Sequence, residues 1–260
     1  MNGGRSIPYN FNAPNALAAS LEGATILYNT YWVRFSHGRS TFNTAVENTQ
    51  TLLQAAKMAG VKKIVHVSIA NPDKQSPFPY YRGKAVLEEA VMASGLDYTI
   101  IRPTVIFGTE DILVNNIAWL LRTFPVFPIA GSGNYRIQPV FVEDMAGLAV
   151  QVGQGGHNAI LDAVGPEVFT FEGLVRLLAK AVGSRAGIIH VPPAALLAAS
   201  KLIGSVVGDV LLTREEIDGL MADLLVSSGS PTGTTRLSDW VERHKDTVGT
   251  RYASEIKRHF

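Results

Sequence analysis

The chain has 260 residues, of which 47% are hydrophobic and 17% charged, as is typical of a globular protein with a sizeable core. Its 23 basic and 22 acidic residues give a net charge of +1 without a dense basic run, so nucleic acid is not expected as a partner. The absence of cysteine excludes disulfides, thiolate zinc sites and cysteine nucleophiles. The histidines form no His-x-x-x-His pair, so no metal site is predicted.

The first residues predict little regular structure. A strand is one reading of "SIPYNF", and a helix is predicted for "APNALAASLEG". A basic region followed by an apolar run, which would indicate a secretory signal, is not found at the N-terminus, so a cytoplasmic location is expected by default.

From Ala24 onward, short apolar runs alternate with helical stretches, a pattern that predicts an α/β fold with a parallel sheet. Strands are expected near residues 25–29, 63–68 and 98–102, and a glycine closes each intervening helix, as a C-cap glycine would. Right-handed crossovers would bring the carboxyl ends of the three strands to one edge, where such sheets bind ligands.

Beyond Gly108 the alternation becomes less regular. An amphipathic helix runs into a proline-punctuated loop in "DILVNNIAWLLRTFPVFP", and a strand, "HNAILDAVG", precedes a mainly helical region. These features predict an incomplete sheet domain over residues 1–165, with residues 109–139 contributing to a substrate lobe. Residues 166–260 are predicted to form a smaller, mainly helical C-terminal lobe for substrate or docking.

The stretch Ala194–Leu212 is nearly long enough to span a bilayer, but it contains Lys201, Asp209 and two glycines. We expect a helix that is buried or packed within its lobe. The alternative is an interfacial contact with a membrane or a partner.

Polar residues collect at the predicted binding edge of the sheet. Ser68 ends one strand, Pro103 and Thr104 end the next, and Tyr80 and Lys84 enter the helix between them. Residues four apart share one face of a helix. A Tyr-x-x-x-Lys pair is common by chance and is often only a solvated surface pair, so the neighbouring strand ends carry the interpretation.

This arrangement resembles the short-chain dehydrogenase/reductase superfamily, in its extended and atypical branches, over about residues 20–165. The segments "YNTYWVRF", "VHVSIANPD", "PYYRGKA" and "IRPTVIFG" are most similar to epimerase-type relatives of the NAD(P)H-binding accessory subunit of respiratory complex I. The resemblance implies a Rossmann-like, doubly wound parallel sheet that binds NAD or NADP.

The resemblance also implies roles for the candidate residues. Tyr80 would be the catalytic acid/base, and its phenolate needs a nearby cation because a phenol with a pKa near 10 is a poor base at neutral pH. Lys84 would supply that charge and bind the nicotinamide ribose, while Ser68 would hydrogen-bond the substrate oxygen. Tyr81 is an alternative to Tyr80, although its spacing to Lys84 departs from the family pattern.

Four further residues receive binding roles from the same resemblance. Asn29, at the end of the first of these strands, would line the nicotinamide side together with the backbone around Pro103 and Thr104. Arg136 lies where epimerase-like relatives place a contact to a substrate phosphate.

One part of the family pattern is missing from this sequence. A complete dinucleotide fold opens with a strand, a Gly-rich turn and a helix whose N–H groups hold the pyrophosphate. Only 23 residues precede "ATILYN", and the glycine clusters "AGSGNY", "GQGGHN" and "GSPTG" fit ordinary turns. The expectation is an N-terminally truncated chain that lacks the first strand and the Gly-rich loop, and whose strand at 25–29 has an unpaired edge.

Two functions are therefore expected. The first is an NAD(P)-dependent oxidoreductase or nucleotide-sugar epimerase/dehydratase that acts on a small molecule, with activity in doubt for the truncated chain. The alternative is a non-catalytic NAD(P)H-binding accessory or assembly protein of a complex I-like assembly. Such a protein would lie peripheral to a membrane complex, or form a homo-oligomer, through the Ala194–Leu212 helix.

Overall fold

The computed structural model describes residues 6–259, with side chains as far as Lys257. The chain divides into two compact units. The first unit is Met1–Arg102 with Leu148–Leu161, and the second unit is Pro103–Gly147 with Asp162–Phe260.

The helices and strands follow one another in this order: α1 Pro14–Ser20, β1 Ile26–Asn29, α2 Phe42–Met58, β2 Lys63–Val67, α3 Pro79–Met92, β3 Asp97–Pro103, β4 Val105–Phe107, α4 Leu113–Thr123, β5 Val126–Ala130, β6 Arg136–Ile137, β7 Pro139–Phe141, α5 Val142–Gln154, β8 Ala159–Ala163, β9 Phe169–Thr170, α6 Phe171–Ala181, β10 Gly187–Val191, α7 Pro193–Val207, α8 Arg214–Met221, α9 Leu237–Arg243 and α10 Ile256–His259.

The main sheet has the strand order β1-β2-β3-β8, and β1, β2 and β3 are parallel to one another. This confirms the predicted α/β fold with a parallel sheet and crossover helices. Within the described residues β1 pairs only with β2, so β1 is an edge strand of this sheet.

Local signals explain the crossover helices. The Thr41 side chain caps α2 by accepting a hydrogen bond from the backbone N–H of Thr44 at 3.1 Å. Pro79 occupies the first turn of α3, where its missing N–H is not needed. Gly60 and Gly95 follow the two helices with φ near +80°, a conformation that favours glycine, so the predicted C-cap glycines are present.

The helices α2 and α3 pack on β2 and β3 through an apolar layer that we call the sheet core. Its buried members are Leu53, Ala56, Val61, Ile64, Val91, Leu96 and Ile100. Burial of this layer stabilises the packing of the two helices on the sheet.

The strand suggested for "SIPYNF" is wrong. Residues 6–10 form no regular structure and residues 11–12 form a turn. Tyr9 and Phe11 stack with their centroids 5.2 Å apart, and both rings contact Tyr31, so the segment is fixed by aromatic contacts rather than by a ladder. Pro8 also lacks the N–H that a ladder needs. The helix predicted for the next segment is present as α1.

The second unit has its own core, rich in aromatic side chains. Buried residues of this core include Phe107, Ile117, Leu121, Phe127, Ile137, Phe171, Leu174, Leu178, Leu237 and Trp240. Three short strand pairs surround it: β4 with β7 and β5 with β10 are parallel, and β6 with β9 is antiparallel.

The strands β5 and β10 of the second unit were not predicted. The proline-punctuated "VFP" segment was expected to be a loop, but it forms β5, which pairs with β10 from the region expected to be mainly helical. Pro128 is tolerated because β5 pairs with β10 alone and one side of it needs no N–H donor.

The predicted Ala194–Leu212 helix is shorter than expected. The helix α7 ends at Val207, because Gly208 takes a left-handed conformation with φ +68°. Only the small residues Ser200 and Gly204 are buried, whereas Leu202 and Val206 are exposed. Among residues 6–259, no helix is long and apolar enough to cross a membrane.

Candidate functional site

Lys84 is buried at the carboxyl end of β2. Its side chain extends from the second turn of α3, and Nζ donates a hydrogen bond to the carbonyl of Val67 at 2.9 Å. Nζ also lies 4.7 Å from the centroid of the Trp32 ring. Because Val67 immediately precedes Ser68, the structure brings Lys84 to the strand end that the sequence predicted.

Ser68 continues the ladder beyond the last residue of β2, since its N–H donates to the Ile101 carbonyl at 2.8 Å. The side chain is buried, and its Oγ has no hydrogen-bond partner among the described residues. An unsatisfied buried hydroxyl costs about 1–3 kcal/mol, so the Ser68 hydroxyl is a candidate hydrogen-bond donor to a ligand.

Tyr80 is half-buried and lies within an aromatic group. Its ring centroid is 5.7 Å from Trp32, 5.9 Å from Phe42 and 5.7 Å from Tyr81. Tyr81 is buried, and desolvation raises its pKa to about 12. A phenol with that pKa is a poor acid/base at neutral pH, which argues against the alternative, Tyr81.

Burial dominates the charge state of Lys84. Desolvation lowers its pKa to about 7, and the nearby Glu88 carboxylate partly opposes that shift. Glu88 is itself buried and binds Arg102 through two hydrogen bonds, of 2.9 and 2.5 Å. The ammonium is therefore poised to titrate near neutral pH instead of remaining fully charged.

Asn29 ends β1, as predicted, but its side chain is occupied by protein partners. Its Oδ1 accepts from the Tyr31 backbone N–H at 3.1 Å, so its Nδ2 is the donor to Nδ1 of His66 at 2.9 Å. The His66 proton therefore resides on Nε2, which is buried without a partner among the described residues. Burial and the Lys84 charge lower the His66 pKa to about 3, so the ring is neutral.

Three predicted binding residues belong to the second unit. Pro103 ends β3, and the hydroxyl of the buried Thr104 donates to the carbonyl of Gln138. Arg136 is exposed and forms an ion pair with Asp223, which also accepts its backbone N–H. The roles of these residues in binding cofactor or substrate stay predictions.

Sequence reasoning missed three residues of this site: Trp32, His66 and Glu88. A polar residue two positions before Ser68, in a strand otherwise buried, was an available signal for His66. Glu88 lies one turn beyond Lys84, at the spacing that places side chains on one helix face. Nothing in the local pattern distinguished Trp32 from other loop aromatics.

The donors at this strand end fit the nicotinamide ribose side of a dinucleotide. The buried Lys84 ammonium has three N–H bonds and one hydrogen-bonded acceptor, and the Ser68 hydroxyl is unpartnered. Ribose hydroxyls and a carbonyl oxygen are suitable partners for such groups. Within residues 6–259, neither α2 nor α3 follows a Gly-rich turn that could hold a pyrophosphate.

Residues 4–114 match the family described as NAD(P)H-binding. The predicted resemblance is confirmed. The cofactor class of this match, NAD or NADP, is the one expected from the sequence. Separately, the described part of the chain contains no group of three or more His, Asp or Glu side chains that could hold a metal ion.

Two relatives illustrate the similarity. Over 182 residues the chain is 26% identical to the mitochondrial NADH dehydrogenase [ubiquinone] 1 alpha subcomplex subunit 9 of Arabidopsis thaliana, which covers 67% of this chain and 45% of that protein. Over 100 residues it is 30% identical to the photosystem II assembly factor Ycf39 of Cyanophora paradoxa, which covers 38% of this chain and 31% of that protein. The chain thus spans less than half the length of these relatives.

The fold is also found among solved structures. The NADPH-dependent quinone oxidoreductase of Escherichia coli, solved with NADPH, has a TM-score of 0.69 and 24% identity to this chain. The alignment covers 90% of this chain and 81% of that one. The similarity shows that the fold is Rossmann-like.

Proposed function

We propose that the chain is an NAD(P)H-dependent oxidoreductase that uses Tyr80, Lys84 and Ser68 at the carboxyl end of β2. The observation that carries the proposal is the buried Lys84 ammonium, held on the Val67 carbonyl beside the unpartnered hydroxyl of Ser68. A buried cation and a free buried donor have little structural value at this position, and both suit a ligand rich in oxygen.

When bound, NAD(P)H supplies the hydride for the reaction. Ser68 donates a hydrogen bond to the substrate carbonyl oxygen and stabilises the negative charge that develops there. Tyr80 transfers its phenolic proton to that oxygen, and the charged form of Lys84 stabilises the resulting phenolate. The product is the alcohol, and Tyr80 is reprotonated from solvent.

A nucleotide-sugar epimerase or dehydratase would use the same residues. In that case Arg136 would contact the substrate phosphate, and its guanidinium would exchange Asp223 for the phosphate oxygens. Replacement of Arg136 by Met should then weaken binding of a nucleotide sugar without affecting NAD(P)H binding.

The proposal is tested by titrating NADH and NADPH, monitored by nicotinamide fluorescence, together with a carbonyl substrate screen. Lys84→Met should weaken cofactor binding at least about tenfold, because it removes the ribose contact. Tyr80→Phe should retain binding but lose turnover by about a hundredfold or more. The exposed Lys74, which pairs with Glu89, provides a matched control in Lys74→Met. Equal cofactor affinity in Lys84→Met and wild type would refute the proposal.

A second candidate function is that of a non-catalytic NAD(P)H-binding accessory or assembly protein, peripheral to a membrane complex. The observation that favours it is α7, whose Leu202 is 70% exposed and whose Val206 is 82% exposed. The two relatives described above are a subunit of NADH dehydrogenase [ubiquinone] and a photosystem II assembly factor.

Native mass spectrometry of the purified protein tests whether α7 mediates self-association, the homo-oligomeric alternative to docking on a membrane complex. The double variant Leu202→Glu and Val206→Glu should abolish self-association and leave NAD(P)H affinity unchanged. A monomeric wild-type protein with full turnover would favour the enzyme over the accessory function.

A further inference from the structure

Trp32 packs against both Tyr80 and Lys84. It lies three residues beyond Asn29, in the segment that links β1 to α2. Its ring is 4.7 Å from Lys84 Nζ, and its centroid is 5.7 Å from that of Tyr80. On the other side it stacks on Phe42, the first residue of α2, at 5.9 Å with an interplanar angle of 19°.

The helix α3 is shaped to accept this indole. Gly83 stands directly before Lys84, and a Cβ added there would lie 2.7 Å from Cη2 of Trp32. Because real carbon atoms do not approach so closely, any larger residue at position 83 would displace the ring. The close approach of the Trp32 ring therefore requires a glycine at this position of "PYYRGKA".

Packing, not hydrogen bonding, fixes the position of the indole. Its Nε1 is buried, and no acceptor for it is found among residues 6–259. Consequently a phenylalanine at this position would keep a π-face and lose no hydrogen bond, whereas a leucine would keep apolar volume without the π-face. These two substitutions separate the electrostatic contribution of the ring from its volume.

The indole also stabilises the positive charge of Lys84, for which the surroundings offer few negative groups. The titratable groups that interact with the ammonium are the neutral His66 from β2 and Glu88 from its own helix. Glu88 is the carboxylate in this set, and Arg102 already engages it on both oxygens. The negative face of the ring is therefore a second source of stabilisation for the charge, besides the Val67 carbonyl.

We infer that Trp32 is a positioning residue of this site, whose indole face holds the Lys84 ammonium against the Val67 carbonyl and whose edge supports the Tyr80 ring. The inference deepens the proposed function and rests on it for its catalytic meaning. The contact itself can be measured on the free protein.

The test follows the Lys84 Cε–Hε signals by NMR in protein labelled with ¹³C-lysine, with Lys84→Met to assign them. In the wild type we expect an upfield ring-current shift and a titration midpoint near pH 7. In Trp32→Leu the ring-current shift should vanish and the midpoint should fall by about 0.5–1 pH unit, because the charged form loses its π partner. Trp32→Phe should restore most of both effects.

Two further variants sharpen the result. Gly83→Ala should displace the indole and reproduce part of the Trp32→Leu change. Trp119→Leu, in the second unit, should leave the Lys84 signals unchanged. A midpoint that stays fixed in Trp32→Leu, or that moves equally in Trp32→Phe, would overturn the inference. Because these signals are read without cofactor, they are independent of the proposed function, which fails instead if Lys84→Met binds NAD(P)H normally.

Discussion

Two lysines are buried in the first unit, at opposite ends of β2, and their surroundings differ. Lys63 begins the strand, and its Nζ donates to the carbonyls of Val152 and Gly155 at 2.6 Å each, at the carboxyl end of α5. A cation at this end of a helix is well placed to satisfy free carbonyls. Lys84, at the other end, has one carbonyl and an indole face. Lys63 is therefore a structural lysine, whereas Lys84 retains donors for a ligand.

The uncharged neighbours of the two lysines follow the same division. Near Lys63 the sheet core is apolar and well packed. Near Lys84 three buried polar atoms have no partner among the described residues: Nε1 of Trp32, Nε2 of His66 and Oγ of Ser68. The amino ends of the strands thus stabilise the fold, and the carboxyl ends carry unsatisfied groups at the expense of stability, as functional sites do.

The largest expected effect is a loss of protein stability at acid pH, caused by His66 at the carboxyl end of β2. Its pKa is about 3 in the fold and about 6.5 when unfolded, so only the unfolded chain binds the proton between these values. The contribution of the neutral His66 ring to the free energy of unfolding is therefore fully present above pH 6.5. It is lost as the pH drops towards 3, by about 1.4 kcal/mol per pH unit. Urea denaturation at pH 7, 5.5 and 4 measures this loss.

Carboxylates also titrate in this range, so the His66 contribution is the difference between wild type and His66→Gln. The variant should show a flatter dependence of the free energy of unfolding on pH. His157→Gln, which replaces an exposed histidine of the same unit, is the matched control and should behave as the wild type. Parallel curves for wild type and His66→Gln would contradict the prediction.

The second effect compares the two lysines directly. Lys63→Met removes both carbonyl contacts at the end of α5 and should lower the free energy of unfolding by about 1–3 kcal/mol. Lys84→Met removes a desolvated ammonium together with one hydrogen bond, so it should be close to neutral or stabilising. Urea denaturation at pH 7 provides both values. A larger loss for Lys84→Met than for Lys63→Met would break the comparison.

The features that sequence predicted correctly are those with local causes. The glycines at 60 and 95 end their helices through a backbone conformation that glycine adopts easily, and buried strands such as β2 appear as apolar runs. The strand pair β5 and β10 was missed because its partners are distant in the chain and a proline interrupts one of them.

The site was predicted in part for the same reason. Four-residue spacing on a helix made Tyr80 and Lys84 candidates, and a strand end made Ser68 a candidate; their roles stay predictions. Trp32 was missed because its position depends on a tertiary contact with Gly83 that no local pattern records. The orientation of the Asn29 side chain could not be predicted, because His66 on the neighbouring strand fixes it through a hydrogen bond. Its place on the nicotinamide side stays a prediction.

A third, smaller effect tests whether Glu88 helps to keep Lys84 charged at the carboxyl end of β2. Glu88 raises the Lys84 pKa against the effect of burial, so Glu88→Gln should lower it below about 7, by roughly one pH unit. The pH at which NAD(P)H affinity declines should move down by the same amount. Glu89→Gln alters an exposed neighbour that pairs with Lys74, and should cause no such change. Identical pH profiles for the Glu88 and Glu89 variants would show that Glu88 does not act on Lys84.

The smallest expected change in stability is that of Ser68→Ala. Because the Ser68 hydroxyl has no hydrogen-bond partner among residues 6–259, its removal breaks no hydrogen bond there and relieves a buried polar group. The free energy of unfolding should therefore stay within about 0.5 kcal/mol of wild type or rise. In the apolar sheet core, Ile100→Val should lower it by about 0.5–1.5 kcal/mol. The effects on turnover should have the opposite order. Ser68→Ala should slow carbonyl reduction by about a hundredfold, because a hydrogen-bond donor to the developing oxyanion is lost. Ile100→Val should leave the rate unchanged. If Ser68→Ala instead destabilises the protein more than Ile100→Val does, the hydroxyl has a structural partner and the carboxyl end of β2 loses its distinction as the binding end.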